Sequence, residues 1–335
     1  MAERCSIITE TDLTSKHVVI VADCDHQSID IEKAVLADIC PELPWLNCRT
    51  EDELIAQCAD CEGIIIMYAP MTRRVMQTLK HCKIIARYGV GVDSVDLKAA
   101  ADLGIVVSNV PDYGTHEVSD HALAMMLCLT RKVAMANSLV KAGQWDFRLM
   151  HPIHRHQVQT IGVIGLGRIG SAMAHKTHAM GMKVVAYDPL VKPERVPDYV
   201  TLVSLEELLA QSDVVSVHCP LCDTTRNLLD EKMLGLMKPS AYLINTARGS
   251  IVDEVALEKM LAEKRLAGAA LDVLSCEPGT TDHPLFKYEN FLCTPHMAWH
   301  SEESAKELKR KAAEEVRRVL RGEAPLYQVN NFSAA

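Results

Sequence analysis

This sequence predicts an α/β fold of two domains, each a parallel sheet covered by helices on both faces. Three observations carry that reading. Short apolar runs alternate with helical stretches from His17 onward, a strand–glycine turn–helix–strand unit occupies 160–188, and 335 residues suffice for two separate cores.

In order, HVVIVAD (17–23) reads as a strand and 28–39 as a helix, with Ile31, Val35, Leu36 and Ile39 on one face. GIIIMY (63–68), KIIARY (83–88) and IVVSN (105–109) read as further strands, with helices over 72–80 and 94–103 between them. Such alternation builds a parallel sheet. Tyr88-Gly89-Val90-Gly91-Val92-Asp93 follows the strand 83–88, at the sheet edge where open α/β folds bind ligands. Its spacing alone fits a plain turn equally well. Pro111-Asp112-Tyr113-Gly114 then breaks the pattern. Next comes an apolar-periodic stretch over 116–141, with Val118, Leu123, Met126, Leu127 and Leu129. It predicts one helix long enough to cross between domains and to carry a subunit interface.

The rest is organised around 160–188. The apolar run Ile161–Ile164 ends in Gly165-Leu166-Gly167-Arg168-Ile169-Gly170, a helix follows to about Met180, and a second strand, Lys183–Tyr187, stops at Asp188. Gly165 suits a tight turn, Gly167 lets backbone approach a pyrophosphate, and Gly170 lets helix and strand pack closely. The helix N-terminus offers free N–H groups and the positive end of its dipole. Asp188 can accept hydrogen bonds from a ribose 2′-OH and would repel a 2′-phosphate. NAD is therefore expected over NADP.

Further strands are VVSVHC (214–219), AYLINT (241–246), LAGAALDV (266–273) and FLCTP (291–295), with helices over 230–237 and 253–264. Three of them run into chemically suggestive residues: 241–246 into Arg248, 266–273 (which carries Asp272) into Glu277, and 291–295 into His296. Arg248, Glu277 and His296 thus fall on one sheet edge, with the glycine turn. Reduction of a 2-oxo acid needs a cation to hold the carboxylate, and arginine does so in bidentate fashion. It also needs an acid for the developing alkoxide, and histidine titrates in the right range. A neighbouring carboxylate orients the ring and favours its charged form. Taken singly, each residue has an ordinary structural use; only the shared edge joins them. A last helix, 301–321, places Glu302 and Glu303 first and Arg317, Arg318 and Arg321 last, as its dipole favours. Its packing face is Ala305, Leu308, Ala312, Val316 and Leu320.

Composition sets the class. The chain is 48% hydrophobic and 24% charged, with a net charge of −9, which argues against nucleic-acid or anionic-membrane partners. No run reaches the length of a membrane span, and Met1–Glu10 has no signal-peptide core, so a cytoplasmic location is expected. The 12 cysteines include CxxC pairs at Cys58/Cys61 and Cys219/Cys222. Pairs so far apart, with most other thiols in apolar runs (Cys82, Cys128, Cys293), predict reduced structural cysteines and no metal. His151, His154 and His156 lie in an aperiodic stretch that reads as a surface loop.

YGVGVDSVDL (88–97), GIVVSNVP (104–111), VIGLGRIG (163–170), HCPLCDTTRNLL (218–229), NTARGSIVDE (245–254), ALDVLSCEP (270–278) and TPHMAW (294–299) together resemble the D-isomer-specific 2-hydroxyacid dehydrogenases. That family includes relatives of phosphoglycerate, glycerate and D-lactate dehydrogenases. The resemblance implies a Rossmann NAD domain (112–300) inserted into a flavodoxin-like substrate domain (1–111 and 301–335), closing over a cleft in a homodimer. It implies Arg248 as the carboxylate ligand, His296 as acid/base and Glu277 as its partner, with the Val90 and Gly91 amides also on the substrate. NAD would be held by Gly165, Gly167, Arg168, Ile169, Gly170, Asp188, His218, Cys219, Pro220, Thr224, Thr246, Ala247, Arg248, Asp272 and His296. Tyr68, Met71 and Trp299 are candidates for shaping the substrate pocket. Glu277 differs from the glutamine of formate dehydrogenases. Trp299 is similar to the C-terminal binding proteins, whereas His300 replaces their tyrosine. An NAD(H)-sensing interaction protein of that type is the alternative reading.

Overall fold

The structure, a computed structural model, describes residues 18–330. Met1–Glu10, the His17 start of the first expected strand and the end of the tail lie outside the described residues. The chain divides into two compact units, at Tyr113–Gly114 and Ser301–Glu302.

In the first unit, β1 (Val19–Val21), β2 (Gly63–Ile66), β3 (Ile84–Arg87) and β4 (Val106–Ser108) form a parallel sheet in that order. Beyond β1, Val21 bridges Trp45 in parallel, with the Val21 amide donating to Pro44 O (3.0 Å) and Leu46 N donating to Val21 O (2.9 Å). Counting that rudimentary strand second in sequence, the order is 2-1-3-4-5, the flavodoxin-like winding. PELPWLNC hides it from sequence reading, because proline is tolerated only at such an edge. The helix Glu302–Leu320 lies on this sheet, and a Cβ on Gly63 would sit 2.9 Å from Val316 Cγ1.

That helix departs from its expected face. Ala305 is only partly buried, whereas Lys309 and Glu315 are buried. Lys309 donates to Ser28 O and lies 3.6 Å from the buried Glu32 carboxylate, which accepts from Tyr88 Oη at 2.6 Å. Glu315 accepts from the Leu326 and Tyr327 amides. Buried charges are tolerated here because they are paired and hydrogen-bonded.

The second unit is a seven-stranded parallel sheet of β5 (Thr160–Ile164), β6 (Lys183–Tyr187), β7 (Val200–Leu202), β8 (Val214–Val217), β9 (Tyr242–Asn245), β10 (Gly268–Leu271) and β11 (Phe291–Cys293), in the order β11-β10-β9-β8-β5-β6-β7. This is the Rossmann winding, and its direction reverses between β5 and β8, beside the glycine turn. Apolar cores fill both faces, one around Leu208, Leu243 and Leu257, the other around Met126, Val163 and Met173. The fold is thus α/β with two doubly wound parallel sheets.

The helix expected over 116–141 is two. Thr115–Thr130 and Val133–Lys141 meet at a bend of 56°, where Lys132 takes a left-handed φ of 55° and donates from Nζ to His151 O. The second helix buries none of its side chains, so its apolar positions are not core. No glycine or proline marks the break. Among the described residues no single helix is long and apolar enough to cross a membrane. Helices Glu51–Gln57 and Leu205–Gln211, unread in the sequence, each begin in a capping box, Thr50/Glu53 and Ser204/Glu207.

Candidate active site

The glycine turn follows from local sterics. Gly165 has φ +90°, and a Cβ there would meet Cys219 N at 2.7 Å; a Cβ on Gly170 would lie 1.9 Å from Gly165 O. Around the Cβ position of Gly167, by contrast, there is nothing within 4 Å. Gly167 is also the N-cap of the helix Arg168–Ala179, and no side chain caps it. The first-turn amides of Arg168, Ile169 and Gly170 thus face an open space with the positive end of the dipole behind them.

Asp188 closes the turn from the end of β6. Its Oδ2 accepts from Leu166 N (2.8 Å), and its Oδ1 from Leu190 N (2.8 Å) and Val191 N (3.1 Å). Across the switch point, His218 follows β8. Its amide donates to Ile164 O at 2.7 Å, and burial pushes its ring down to about 4, so it is a neutral imidazole paired with Ser216 Oγ.

The loop 219–225 is knotted by Thr225, whose hydroxyl donates to Pro220 O (2.6 Å) and accepts from Cys222 N (2.8 Å). Burial pushes the Cys219 thiol up to about 11. Cys222 differs: it is exposed, and hydrogen bonds from Thr224 and Thr225 hold its thiol down to about 7. Among the described cysteines, Cys58, Cys61 and Cys82 are buried, Cys128, Cys219 and Cys293 are partly buried, and Cys222 and Cys276 are exposed. Of the loop histidines, His151 and His154 are exposed, while His156 meets Thr130 Oγ1 at 3.0 Å.

After β9, Asn245 ties the next loop, with Nδ2 donating to Arg248 O (2.9 Å) and Oδ1 accepting from Ala247 N (3.0 Å). Thr246 Oγ1 is buried without a partner. A Cβ on Gly249 would lie 2.0 Å from the Leu274 carbonyl carbon. Only glycine allows that approach of the Arg248 loop to the loop carrying Glu277.

Glu277 Oε1 accepts from Leu274 N (2.9 Å), and Oε2 pairs with His296 Nδ1 (2.7 Å). Burial pushes the Glu277 carboxyl up, but the bond and charge of His296, the Leu274 amide and the Arg248 charge together hold it below its ordinary value. The accepting carboxylate places a proton on His296 Nδ1 and leaves Nε2 for other chemistry. His296 itself is left-handed, with φ 52°, a conformation unusual for a non-glycine residue. Glu277 thus touches His296 and feels the charge of Arg248, although the three lie far apart in sequence.

The uncapped helix, the open space at Gly167, the orphaned Thr246 hydroxyl and the acid ending β6 fit a dinucleotide. The profile of the D-isomer-specific 2-hydroxyacid dehydrogenase NAD-binding domain matches residues 123–298, just over half of the chain. This chain belongs to that family.

Within the family, it is 39% identical over 275 residues to the D-3-phosphoglycerate dehydrogenase of Archaeoglobus fulgidus, covering 82% of this chain and 52% of that one. The chain spans about half the length of such phosphoglycerate dehydrogenases. It is 36% identical over 283 residues to the glyoxylate reductase of Korarchaeum cryptofilum, covering 83% and 85% of the two chains. The Aquifex aeolicus D-lactate dehydrogenase, solved with NAD and lactic acid, superimposes with a TM-score of 0.84 at 28% identity, covering 91% of this chain and 96% of that one.

Two of the candidate residues are buried. Met71 packs in the core of the first unit. Asp272 is 1% exposed and spends its carboxylate on protein: Oδ1 accepts from Thr294 Oγ1 (2.5 Å) and Met297 N (3.0 Å), and Oδ2 from Ala298 N (2.8 Å). It therefore grips the turn that carries His296. In the first unit, Gly89 has φ +121°, Val90 is 40% exposed, and Asn109 Nδ2 donates to Val90 O at 2.6 Å. Tyr68 is 43% exposed there, with its amide donating to Asp23 Oδ2 (2.7 Å). Trp299 is partly buried, 5.3 Å from the exposed His300 ring. Sequence reading missed Asn245, Gly249 and Thr294, because each acts through backbone or through another residue rather than by a recognisable motif.

Proposed function

We propose that this chain is an NAD-dependent oxidoreductase that interconverts a D-2-hydroxy acid and its 2-oxo acid. The observation that carries the reading is the 2.7 Å contact of His296 Nδ1 with Glu277 Oε2, at the sheet edge that also bears the open glycine turn. The Arg168, Ile169 and Gly170 amides would hold the pyrophosphate, Asp188 the adenosine ribose, and the 218–224 and 246–248 loops, with Thr246, Pro220 and Thr224, the nicotinamide half. The chemistry supplied by the bound cofactor is a hydride equivalent.

The remaining steps belong to the chain. Arg248 binds the substrate carboxylate and, being permanently charged, polarises the adjacent carbonyl. The Val90 and Gly91 amides are the first unit's candidate donors to a carboxylate. His296 Nε2 donates a proton to the carbonyl oxygen on reduction and accepts it on oxidation. Glu277 stays ionised, holds the ring by Nδ1 and stabilises the imidazolium. The Asp188 carboxylate favours a free ribose hydroxyl over a phosphate, hence NAD over NADP.

We assign a homodimer as the working state. The helix Val133–Lys141 buries no side chain, and beyond it Trp145 and Phe147 are 88% and 77% exposed, a patch typical of protein interfaces. Sedimentation at micromolar concentration should give a dimer. The free thiols among the described cysteines suit a reducing cytoplasm.

The deciding experiment follows NADH absorbance with glyoxylate, hydroxypyruvate, pyruvate, phenylpyruvate and 3-phosphohydroxypyruvate. Turnover of at least one is expected. Tight NADH binding without turnover of any would replace this reading with an NAD(H)-sensing interaction protein of the C-terminal binding protein type.

A further inference from the structure

The turn bearing His296 is held from below by one face of the helix Thr115–Thr130. The Cβ position of Gly114, the N-cap of that helix, lies 3.5 Å from Trp299 O. Glu117 Oε1 accepts from Ser301 Oγ at 3.0 Å, and His121 Nε2 meets Thr294 Oγ1 at 2.9 Å. Positions 114, 117 and 121 are spaced by three and four, so they share one stripe of the helix. All three contact the segment 294–301.

His121 is the member that reaches the chemistry. Thr294 has one hydroxyl proton, and the 2.5 Å contact commits it to Asp272 Oδ1. The Thr294 oxygen is therefore an acceptor toward His121, which must present Nε2–H. The donors converge on Asp272: His121 Nε2–H donates to Thr294 Oγ, Thr294 Oγ–H donates to Asp272, and the Met297 and Ala298 amides donate to the same carboxylate. His296 N, in the same turn, donates to Asp272 O at 2.8 Å. Such a left-handed residue persists only where its surroundings over-determine it. The ring of His121 also lies 3.6 Å from Asp272 Oδ1.

We propose that His121 is a positioning residue for the reaction: through Thr294 and Asp272 it fixes the left-handed turn that aims His296 at Glu277 and at the substrate. The inference rests on the dehydrogenase reading for its kinetic consequence, but not for its structural one. Three variants test it. His121→Leu removes the donor, Thr294→Val removes the relay, and His121→Gln keeps an N–H in place of Nε2–H.

His121→Leu and Thr294→Val should each lower kcat between ~10- and ~100-fold, the scale of a small misplacement of a reacting group, with KM for NADH near the parent value. The double variant should lose no more than either single one, because both cut the same path of hydrogen bonds. His121→Gln should recover most of the rate. In the protein without ligands, hydrogen–deuterium exchange of the Met297 and Ala298 amides should quicken in His121→Leu, with 160–188 unchanged, and slow again in His121→Gln.

The proposal is overturned if exchange at 297–298 does not change, if it rises equally throughout the chain, if Gln behaves as Leu does, or if the losses add. Local quickening in a protein that turns over none of the 2-oxo acids would retain the splint and remove the enzyme. Normal turnover by His121→Leu would do the reverse.

Discussion

Each parallel sheet ends, at its carboxyl edge, in a glycine-bearing turn, and the two turns are finished differently. In the second unit the turn runs straight into the helix Arg168–Ala179, whose N-cap is Gly167, with no side chain over the first amides. In the first unit Gly89 opens a longer loop, and the helix that follows, Leu97–Asp102, is capped by Asp96, whose side chain accepts from Ala99 N at 2.8 Å. A capped helix has already satisfied its donors, while an uncapped one keeps them for an anion. Around Gly167 there is empty space; around Gly89 the place of a Cβ is filled by Arg87 Nη1, 1.9 Å away. One turn leaves its first amides uncapped, and the other is packed by its own side chains. The same residue type, glycine, thus carries opposite information at the two places.

If the chemistry sits on the seven-stranded sheet and the first unit supplies recognition alone, substitutions should separate kcat from KM. The largest effect belongs to His296→Ala, which should lower kcat by ~10²–10⁴-fold with NADH affinity retained. Near-normal turnover would remove the acid from this edge. Next, Gly170→Ala forces a Cβ against Gly165 O and should weaken NADH binding by about tenfold and lower Tm, given overpacking costs of ~1–3 kcal/mol. Unchanged binding, read by NADH fluorescence, would mean that the turn does not hold the cofactor. A smaller effect is expected in the first unit: Gly89→Ala strains a φ of +121° and should raise KM for the 2-oxo acid roughly tenfold through ~1–3 kcal/mol of strain. A loss in kcat instead would dissolve the division of labour.

The pH response sharpens the picture. The Glu277 carboxyl is held below its ordinary value of 4.5, so its contribution to stability is fully present above that pH and is lost as pH falls through the lower folded value. Urea midpoints should therefore drop more steeply below about pH 4.5 for the parent than for Glu277→Gln. Equal slopes would mean that the pair with His296 adds nothing to the fold. Least perturbing of all is iodoacetamide at neutral pH, which should label Cys222 ahead of the other described cysteines, since its thiol is exposed and held to about 7. Mass spectrometry of the peptides reads the order.

What the sequence made legible follows from where the information is local. The strand–turn–helix–strand unit around Gly165 shows up because glycine sterics, apolar runs and Asp188 lie within thirty residues. Arg248, Glu277 and His296 show up because each follows a strand. Their convergence depends on Gly249 meeting Leu274 and on Asp272 holding the turn, tertiary contacts with no local signature. At the break, Lys132 takes a left-handed φ and reaches His151 O, features that the apolar periodicity running past it does not mark. The edge strand at Trp45 hides behind two prolines. The capping boxes at Thr50 and Ser204, by contrast, were signals available in the sequence.

The first unit is completed from far along the chain: Lys309 meets Glu32, Lys311 meets Asp112 at 2.7 Å, and Arg317 meets Asp38 at 2.9 Å. The second unit is one continuous stretch, 114–301. During ribosomal synthesis, then, the part begun later can finish first, as domains fold in units while the chain emerges. Residues 18–113 then wait in the exit vestibule for their closing helix, with Glu32 still lacking its lysine and one sheet face bare.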